Sequence, residues 1–249
     1  MKLNLLLKLY QELRAAGIAR AKILRLIRRI LSSVLPKFPI FLAIGLPAVG
    51  KGTVLECYKN IAGSIPVKSF SELLKAYANS GAVFAQQAKD AMKEGKRVPD
   101  YIVLEVLLDA IQNASSSFVL DGVPRSLAQA ITLLLAGANI KLLWFKCPEH
   151  IVISRAINRR VCGNCKFVTS VQDSPDGICP VCGGTLSART DDQHIKERCA
   201  DFKATGLPAV EFLKNHGCPV LMIYTKDIKP KDNARNIDAF VAPFVMRGI

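Results

Sequence analysis

Apolar and polar positions change rhythm along the chain. From residue 2 to about residue 35 the apolar residues recur at helical spacing. Ile23, Leu24, Ile27, Ile30, Leu31 and Val34 fall on one face, and Lys22, Arg25, Arg28 and Arg29 on the other. That period predicts an amphipathic helix, or two helices broken near Gly17. The stretch "LPKFP", residues 35–39, then stops any helix, because each proline restricts itself and its predecessor. A boundary is expected there.

Beyond it the rhythm changes to short continuous apolar runs: "IFLAIG", "SFVLDG", "IKLLWFKC" and "CPVLMIY". Unbroken apolar runs of this length suit parallel strands covered on both faces. Helical stretches separate them. Strand, helix, strand alternation predicts an α/β fold, an open parallel sheet with helices on both faces. No internal repeat and no low-complexity tract interrupts it.

Composition sharpens this picture in two places. Half of the 249 residues are hydrophobic, enough for a sizeable core, yet no run approaches the roughly 20 apolar residues of a membrane span. The formal net charge is +14, and it is uneven: residues 1–37 carry nine Lys/Arg against the single acid Glu12. A basic surplus implies anionic partners, whether nucleotide phosphates, nucleic acid or acidic lipid. Four of the eight cysteines stand in two CxxC pairs, Cys162/Cys165 and Cys179/Cys182, with thirteen residues between the pairs. That spacing predicts a closed tetrahedral zinc site in a reducing compartment, structural because no coordination position is left open. Cys57, Cys147, Cys199 and Cys218 are scattered singly and are expected to be small core residues.

The first apolar run leads into "GLPAVGKGT", which contains G-x-x-x-x-G-K from Gly45 to Lys51. Glycines let the backbone approach phosphate, successive N–H groups and a helix N-terminus face the anion, and the lysine reaches the terminal phosphates. Gly52 and Thr53 follow the lysine, where Ser or Thr would usually come directly. "GKGT", "DGVPRSLAQA", "RAINRRVC" and "ARTDDQ", in this order, together resemble the adenylate kinase family. In the first stretch Ala48 stands where that family usually has glycine.

The resemblance covers the chain from about Ile40 onward and implies a five-stranded P-loop sheet carrying two inserts. The domains expected are a basic helical extension (1–37), core (38–66), a helical monophosphate-binding insert (67–98), core (99–160), a zinc-bearing lid (161–190) and core (191–249). It implies reversible phosphoryl transfer from MgATP to AMP, giving two ADP. Ala48, Val49, Gly50, Lys51, Gly52 and Thr53 would hold the ATP phosphates, Asp121 the waters around Mg²⁺, Arg159 the ATP and Arg155 its adenine. Arg125 would hold the acceptor phosphate, with Arg189 and Arg198 at the reacting groups. Gln129 would read the acceptor base, beside Gly122 and Val98. Asp191 and Asp192 would help the site or anchor the hinge of the lid. Guanidinium forks suit this work because they grip phosphate oxygens bidentately.

The stretch "SFSELLK", residues 69–75, departs from the family's S-T-G-D-x-L-R. Phe70 replaces a nucleoside-contacting threonine, Ser71 a glycine, and Lys75 a phosphate-binding arginine. The link from Asp192 to Arg198 and the gap between the cysteine pairs are also shorter than is usual. These departures keep open a kinase for CMP, UMP or GMP, against which Gln129 argues. A non-catalytic nucleotide- or nucleic-acid-binding protein on the same fold is the reading from another class; the basic N-terminal segment favours it, and Lys51, Asp121 and the arginines oppose it. No nucleic-acid partner is expected, since Phe167 is the only aromatic in the cysteine-bearing stretch. A cytoplasmic monomer is expected. Residues 1–37 read as an extra element packed on the core, with a membrane surface, a protein partner or organelle import as the alternatives.

Overall fold

The structure is a computed structural model that describes residues 2–32, 38–61, 63–94 and 96–245. Its centre is a five-stranded parallel sheet of β1 (Ile40–Gly45), β2 (Val67–Ser69), β3 (Phe118–Asp121), β4 (Ile140–Lys146) and β8 (Val220–Tyr224), in the order β2-β3-β1-β4-β8. Ile40 lies opposite both Phe118 and Ile140. Alternation then divides the strands between two cores. Ile40, Leu42, Phe118, Leu120, Ile140 and Leu142 face one side; Phe41, Ala43, Val119, Leu143 and Phe145 face the other. Both faces are covered, which is why the runs read as uninterrupted apolar sequence.

The first face is covered by α1 (Lys2–Ala15), α2 (Arg20–Ser32), α4 (Phe70–Ala78), α5 (Ala85–Lys93), α6 (Asp100–Gln112), α7 (Leu127–Leu135) and α10 (Leu207–Asn215). The second is covered by α3 (Lys51–Lys59), α8 (Glu149–Asn158), α9 (Ile195–Asp201) and α11 (Pro230–Val245). The expected α/β architecture is present. Four apolar runs announced four of the strands. The fifth, β2, has three half-buried residues at the edge of the sheet, too short to stand out as a run. It occupies the start of the segment 67–98.

The N-terminal segment forms two helices, and Gly17 joins them at φ +75°, a conformation glycine reaches without steric cost. Leu9, Leu13, Ile18, Ile23, Leu26 and Ile30 are buried in the first core. The expected apolar face needs one correction. Leu24 is 42% exposed, and Leu26 takes the buried place instead. On the basic face, Lys22 and Arg29 meet partners on α6. Lys22 Nζ donates to the Tyr101 hydroxyl at 3.0 Å, and Arg29 pairs with Glu105 and Asp109. The cause is α6, whose buried Glu105 needs a cationic partner from the helix packed over it. The side chains of Leu31 and Val34, and residues 33–37, lie outside the described residues.

A second, antiparallel sheet of β5 (Arg159–Cys162), β6 (Val168–Ser170) and β7 (Leu186–Ser187), in the order β6-β5-β7, stands apart. Its buried apolar cluster is Cys162, Cys179 and Leu186 alone. Among the described residues no helix is long and apolar enough to cross a membrane.

Candidate active site

The carboxyl ends of β1, β2 and β3 open into a cleft of about 1410 Å³, the position where open α/β sheets bind ligands. Its floor is the loop from Gly45 to Thr53. Gly45 is required for packing: a Cβ there would sit 2.5 Å from the Phe145 carbonyl oxygen on β4. The loop then turns through two left-handed residues, Ala48 at φ 59° and Gly50 at φ 99°. An alanine in that region is strained, by about 1–2 kcal/mol, so glycine would suit position 48 better. The chain enters α3 at Lys51, and the loop's backbone and the helix N-terminus face the cleft.

Lys51 folds back over its own loop, with Nζ 3.1 Å from the Gly45 carbonyl oxygen and 3.3 Å from that of Leu46. Burial pushes its pKa down, opposed by the nearby Asp121 carboxylate and reinforced by Arg125, Arg198 and Arg159. Asp121 ends β3. Its Oδ1 is buried and is the one such side-chain atom without a hydrogen-bond partner among the described residues. Burial raises its pKa, while Lys51 and then Arg125 draw it down. A buried carboxylate oxygen left open, beside a lysine at a phosphate-type loop, suits a ligand set of water and cation.

Arg125, Arg155, Arg159, Arg189 and Arg198 all line this cleft. Arg155, on α8, is held by the Thr225 carbonyl oxygen at 2.8 Å, by Thr225 Oγ1 at 3.2 Å and by the Val49 carbonyl oxygen at 3.3 Å. Thr225 Oγ1 in turn donates to the Val49 carbonyl at 2.6 Å. Arg159, at the start of β5, is gripped by both oxygens of the buried Asp192, Nε to Oδ2 at 2.8 Å, and Arg198 approaches the same carboxylate at 3.9 Å. Asp192 therefore sets two arginines at once. The Asp191 side chain lies outside the described residues. Arg125 follows the loop at Gly122, and its Nε donates to the Gly122 carbonyl at 2.7 Å.

The positions expected to contact the acceptor fall differently. Phe70 is 3% exposed and packs in the first core, and Val98 is buried there as well. Gln129 is 1% exposed and its amide is already engaged: Nε2 donates to Asp100 Oδ1 at 2.8 Å, and Oε1 accepts from the Arg125 backbone N–H at 2.7 Å. Lys75 is exposed on α4 and does not line the cleft. Ser69, Ser71 and Gly122 do. An apolar ring at the start of α4 is worth more inside the core than beside a solvated ligand, so Phe70 turns inward.

Residues 165–170 and Val181, from the small sheet and its turns, form the roof of the cleft. Behind them the four cysteine sulfurs of Cys162, Cys165, Cys179 and Cys182 lie within 4.8 Å of one another. Cys162 Sγ is 3.5 Å from Cys182 Sγ, and Cys165 Sγ 3.6 Å from Cys179 Sγ. A disulfide needs about 2.05 Å, whereas a tetrahedron of thiolates around zinc, with bonds of about 2.3 Å, has edges of about 3.75 Å. Backbone N–H groups of Cys165 and Asn164 lower the Cys162 pKa to about 6, whereas the neighbouring sulfurs of Cys182, Cys179 and Cys162 help push that of Cys165 up to about 12; sulfurs this close share negative charge only with a cation among them. The donor set fits zinc. Of the scattered cysteines Cys199 is buried, and Cys57, Cys147 and Cys218 are half-buried against the cores.

Thr225 and Asp100 also carry the geometry and carry no signal in the sequence, since a hydroxyl or acid that acts on another side chain has no motif of its own; Asp192, expected to help the site or anchor the lid hinge, holds Arg159.

Comparisons with known proteins agree with this arrangement. The family model described as "Adenylate kinase" matches residues 43–218. An adenylate kinase of Caldicellulosiruptor saccharolyticus is 32% identical over 197 residues, which is 74% of this chain and 91% of that protein. An adenylate kinase of Archaeoglobus fulgidus is 32% identical over 198 residues, 75% of this chain and 91% of its own. One from Borreliella burgdorferi is 31% identical over 176 residues, 68% of this chain and 83% of its own. The N-terminal helices lie before the matched family segment.

Proposed function

The chain belongs to the adenylate kinase family, phosphotransferases that catalyse Mg²⁺-dependent transfer between ATP and AMP to give two ADP, and we propose that its cleft performs that reaction with the roles below. The observation that carries this reading is the meeting of one phosphate-type loop, Lys51, Asp121 and five arginines in a single cleft. Phosphoryl transfer asks a protein for position and charge neutralisation more than for covalent help.

The backbone N–H groups from Ala48 to Thr53 hold the ATP phosphates, with Gly50, Gly52 and Val49 shaping the loop. Lys51 swings from the Gly45 and Leu46 carbonyls to the transferred phosphate. Its depressed pKa reflects a desolvated cation with surplus positive neighbours, a state that an incoming polyanion relieves. Asp121 Oδ1 anchors the hydration of Mg²⁺, which, when bound with ATP, supplies neutralisation of the phosphate charge. Arg155 lies along the ATP adenine, and Arg159 reaches the phosphates from the base of the roof. Arg125 holds the AMP phosphate. Arg189 and Arg198 flank the reacting groups, Arg198 steered by Asp192.

Structural zinc on the four cysteines keeps the roof folded as a lid, since three buried residues are too few to do so. The segment 67–98 receives AMP through Ser69 and Ser71, with Lys75 one turn further along the same face of α4. Gly122 and the backbone near Val98 border the AMP site. Gln129 acts there chiefly by fixing Arg125, and Phe70 by packing the insert. One chain supplies every residue named, which suits a monomer as the working unit, and the singly placed thiols Cys57, Cys147, Cys199 and Cys218 suit a reducing, cytoplasmic setting.

The test is a coupled assay of the purified protein with MgATP against AMP, CMP, UMP and GMP. AMP should be the best acceptor. A faster reaction with any of the other three would replace the adenylate assignment by another nucleoside monophosphate.

A further inference from the structure

The hairpin of α1 and α2 has more to do than cover apolar surface. We infer that α2 is a positioning element for the acceptor side of the cleft, fastening the segment 67–98 to the core through Lys22 and Arg25. The inference rests on the reading of that segment as the AMP-binding insert.

Leucines and isoleucines hold the hairpin on the core: α1 packs on α7, and α2 on α6 and α7. Lys22 and Arg25 add contacts that straddle a joint. Phe84 precedes α5, within the segment, and Tyr101 begins α6, just after it. Their rings meet edge to face at 5.0 Å. Lys22 Nζ lies 4.6 Å from the Tyr101 ring centroid and 5.7 Å from that of Phe84, and the Arg25 guanidinium lies 5.4 Å from the Phe84 ring. Lys22 also donates to the Tyr101 hydroxyl, which donates to Gln87 on α5. Two cations of α2 thus bridge the residue before α5 and the first turn of α6.

The neighbour of Tyr101 carries the link to the cleft. Asp100 Oδ1 accepts from Gln129 Nε2 at 2.8 Å, and Oδ2 from Ser126 Oγ at 2.6 Å. Gln129 then receives the Arg125 backbone N–H, and Arg97 donates to the Arg125 carbonyl at 2.9 Å. Fixing the first turn of α6 therefore fixes the backbone that aims Arg125. A site ordered beforehand leaves less entropy for AMP binding to supply.

Lys22→Met keeps the stem and removes the charge and the donor. It should raise the KM for AMP about fivefold, equivalent to about 1 kcal/mol, with kcat and the KM for ATP unchanged. Lys22→Arg should restore the parent value. Leu9→Ala, on α1 away from the joint, should lower the melting temperature and leave the KM for AMP alone. Tyr101→Phe, which keeps the ring and cuts the relay to Gln87, gives an independent reading if Lys22→Met fails to fold, with a rise in the same constant expected. An AMP KM unchanged or lowered in both Lys22→Met and Tyr101→Phe, or raised equally by Leu9→Ala, overturns the inference while the parent's AMP kinase activity still supports the functional reading. A parent that phosphorylates none of the four monophosphates overturns both.

Discussion

On the side of the cleft proposed for ATP, Lys51, Arg155 and Arg159 arrive from the start of α3, from α8 and from the base of the small sheet, and each reaches the cleft surface with its partners in place. On the side formed by residues 67–98, Phe70 and Val98 are buried, and serines supply the lining. The difference follows from what each side must hold. Phosphate is recognised by charges and backbone N–H groups at fixed spacing, so the ATP side is written in motifs. A nucleoside is recognised by shape and a few hydrogen bonds, and these depend on which apolar residues the core claims first. If the comparison is sound, changes on the ATP side should cost chemistry and changes on the acceptor side should cost affinity for AMP.

The largest expected effect is on the ATP side. Lys51→Met should leave the fold intact and lower transfer by about three orders of magnitude, because charge stabilisation at the migrating group dominates this reaction. A loss below tenfold, measured under saturating MgATP and AMP, would remove the loop from the chemistry.

Asp192→Asn comes next. The amide keeps the shape but gives up the charge that holds Arg159 and draws Arg198. A misplaced catalytic group costs about a hundredfold, so kcat should fall ten- to a hundredfold with the KM for AMP little changed. A pure rise in that KM would assign Asp192 to the acceptor side instead and break the division.

Removing metal tests the roof. Chelation, or Cys162→Ser, should release zinc, expose the segment 163–185 to proteolysis and lower the melting temperature, while the α-helical signal of the core remains. The loss of activity should be smaller than for Lys51→Met, since of the four cysteines Cys165 alone borders the cleft, in its roof. Metal-free native protein with unchanged protease resistance would show that the four sulfurs need no ion.

The same division explains what could be read from the sequence. The parallel sheet was legible because β1, β3 and β4 are covered on both faces and are apolar but for the terminal Asp121 and for Lys141 and Lys146; β2 escaped because three half-buried residues carry no period. Lys51 was legible because the phosphate loop restricts residue type and spacing together; Asp121 and the arginines were placed by the resemblance of their motifs to the adenylate kinase family, and the structure brings them to one cleft. Phe70 could not be placed, since an aromatic at the start of a helix meets core or ligand according to packing that one sequence does not show. The partners of Lys22 and Arg29 could not be read, because Tyr101 and Glu105 lie more than seventy residues away.

The smallest expected effect is at Lys75, where the acceptor side is hardest to read. Ser71 lines the cleft, and Lys75 follows it by four residues, so both project from one face of α4. The lysine stands exposed and does not line the cleft. A guanidinium at this place would add a second donor in fixed geometry. Lys75→Arg should therefore lower the KM for AMP by about twofold to fivefold, or up to about 1 kcal/mol, without change in kcat or in the KM for ATP. Lys75→Met should raise it by a similar factor. If both variants match the parent, the AMP phosphate is carried by Arg125 and its neighbours alone, and the acceptor side is narrower than residues 67–98 suggest.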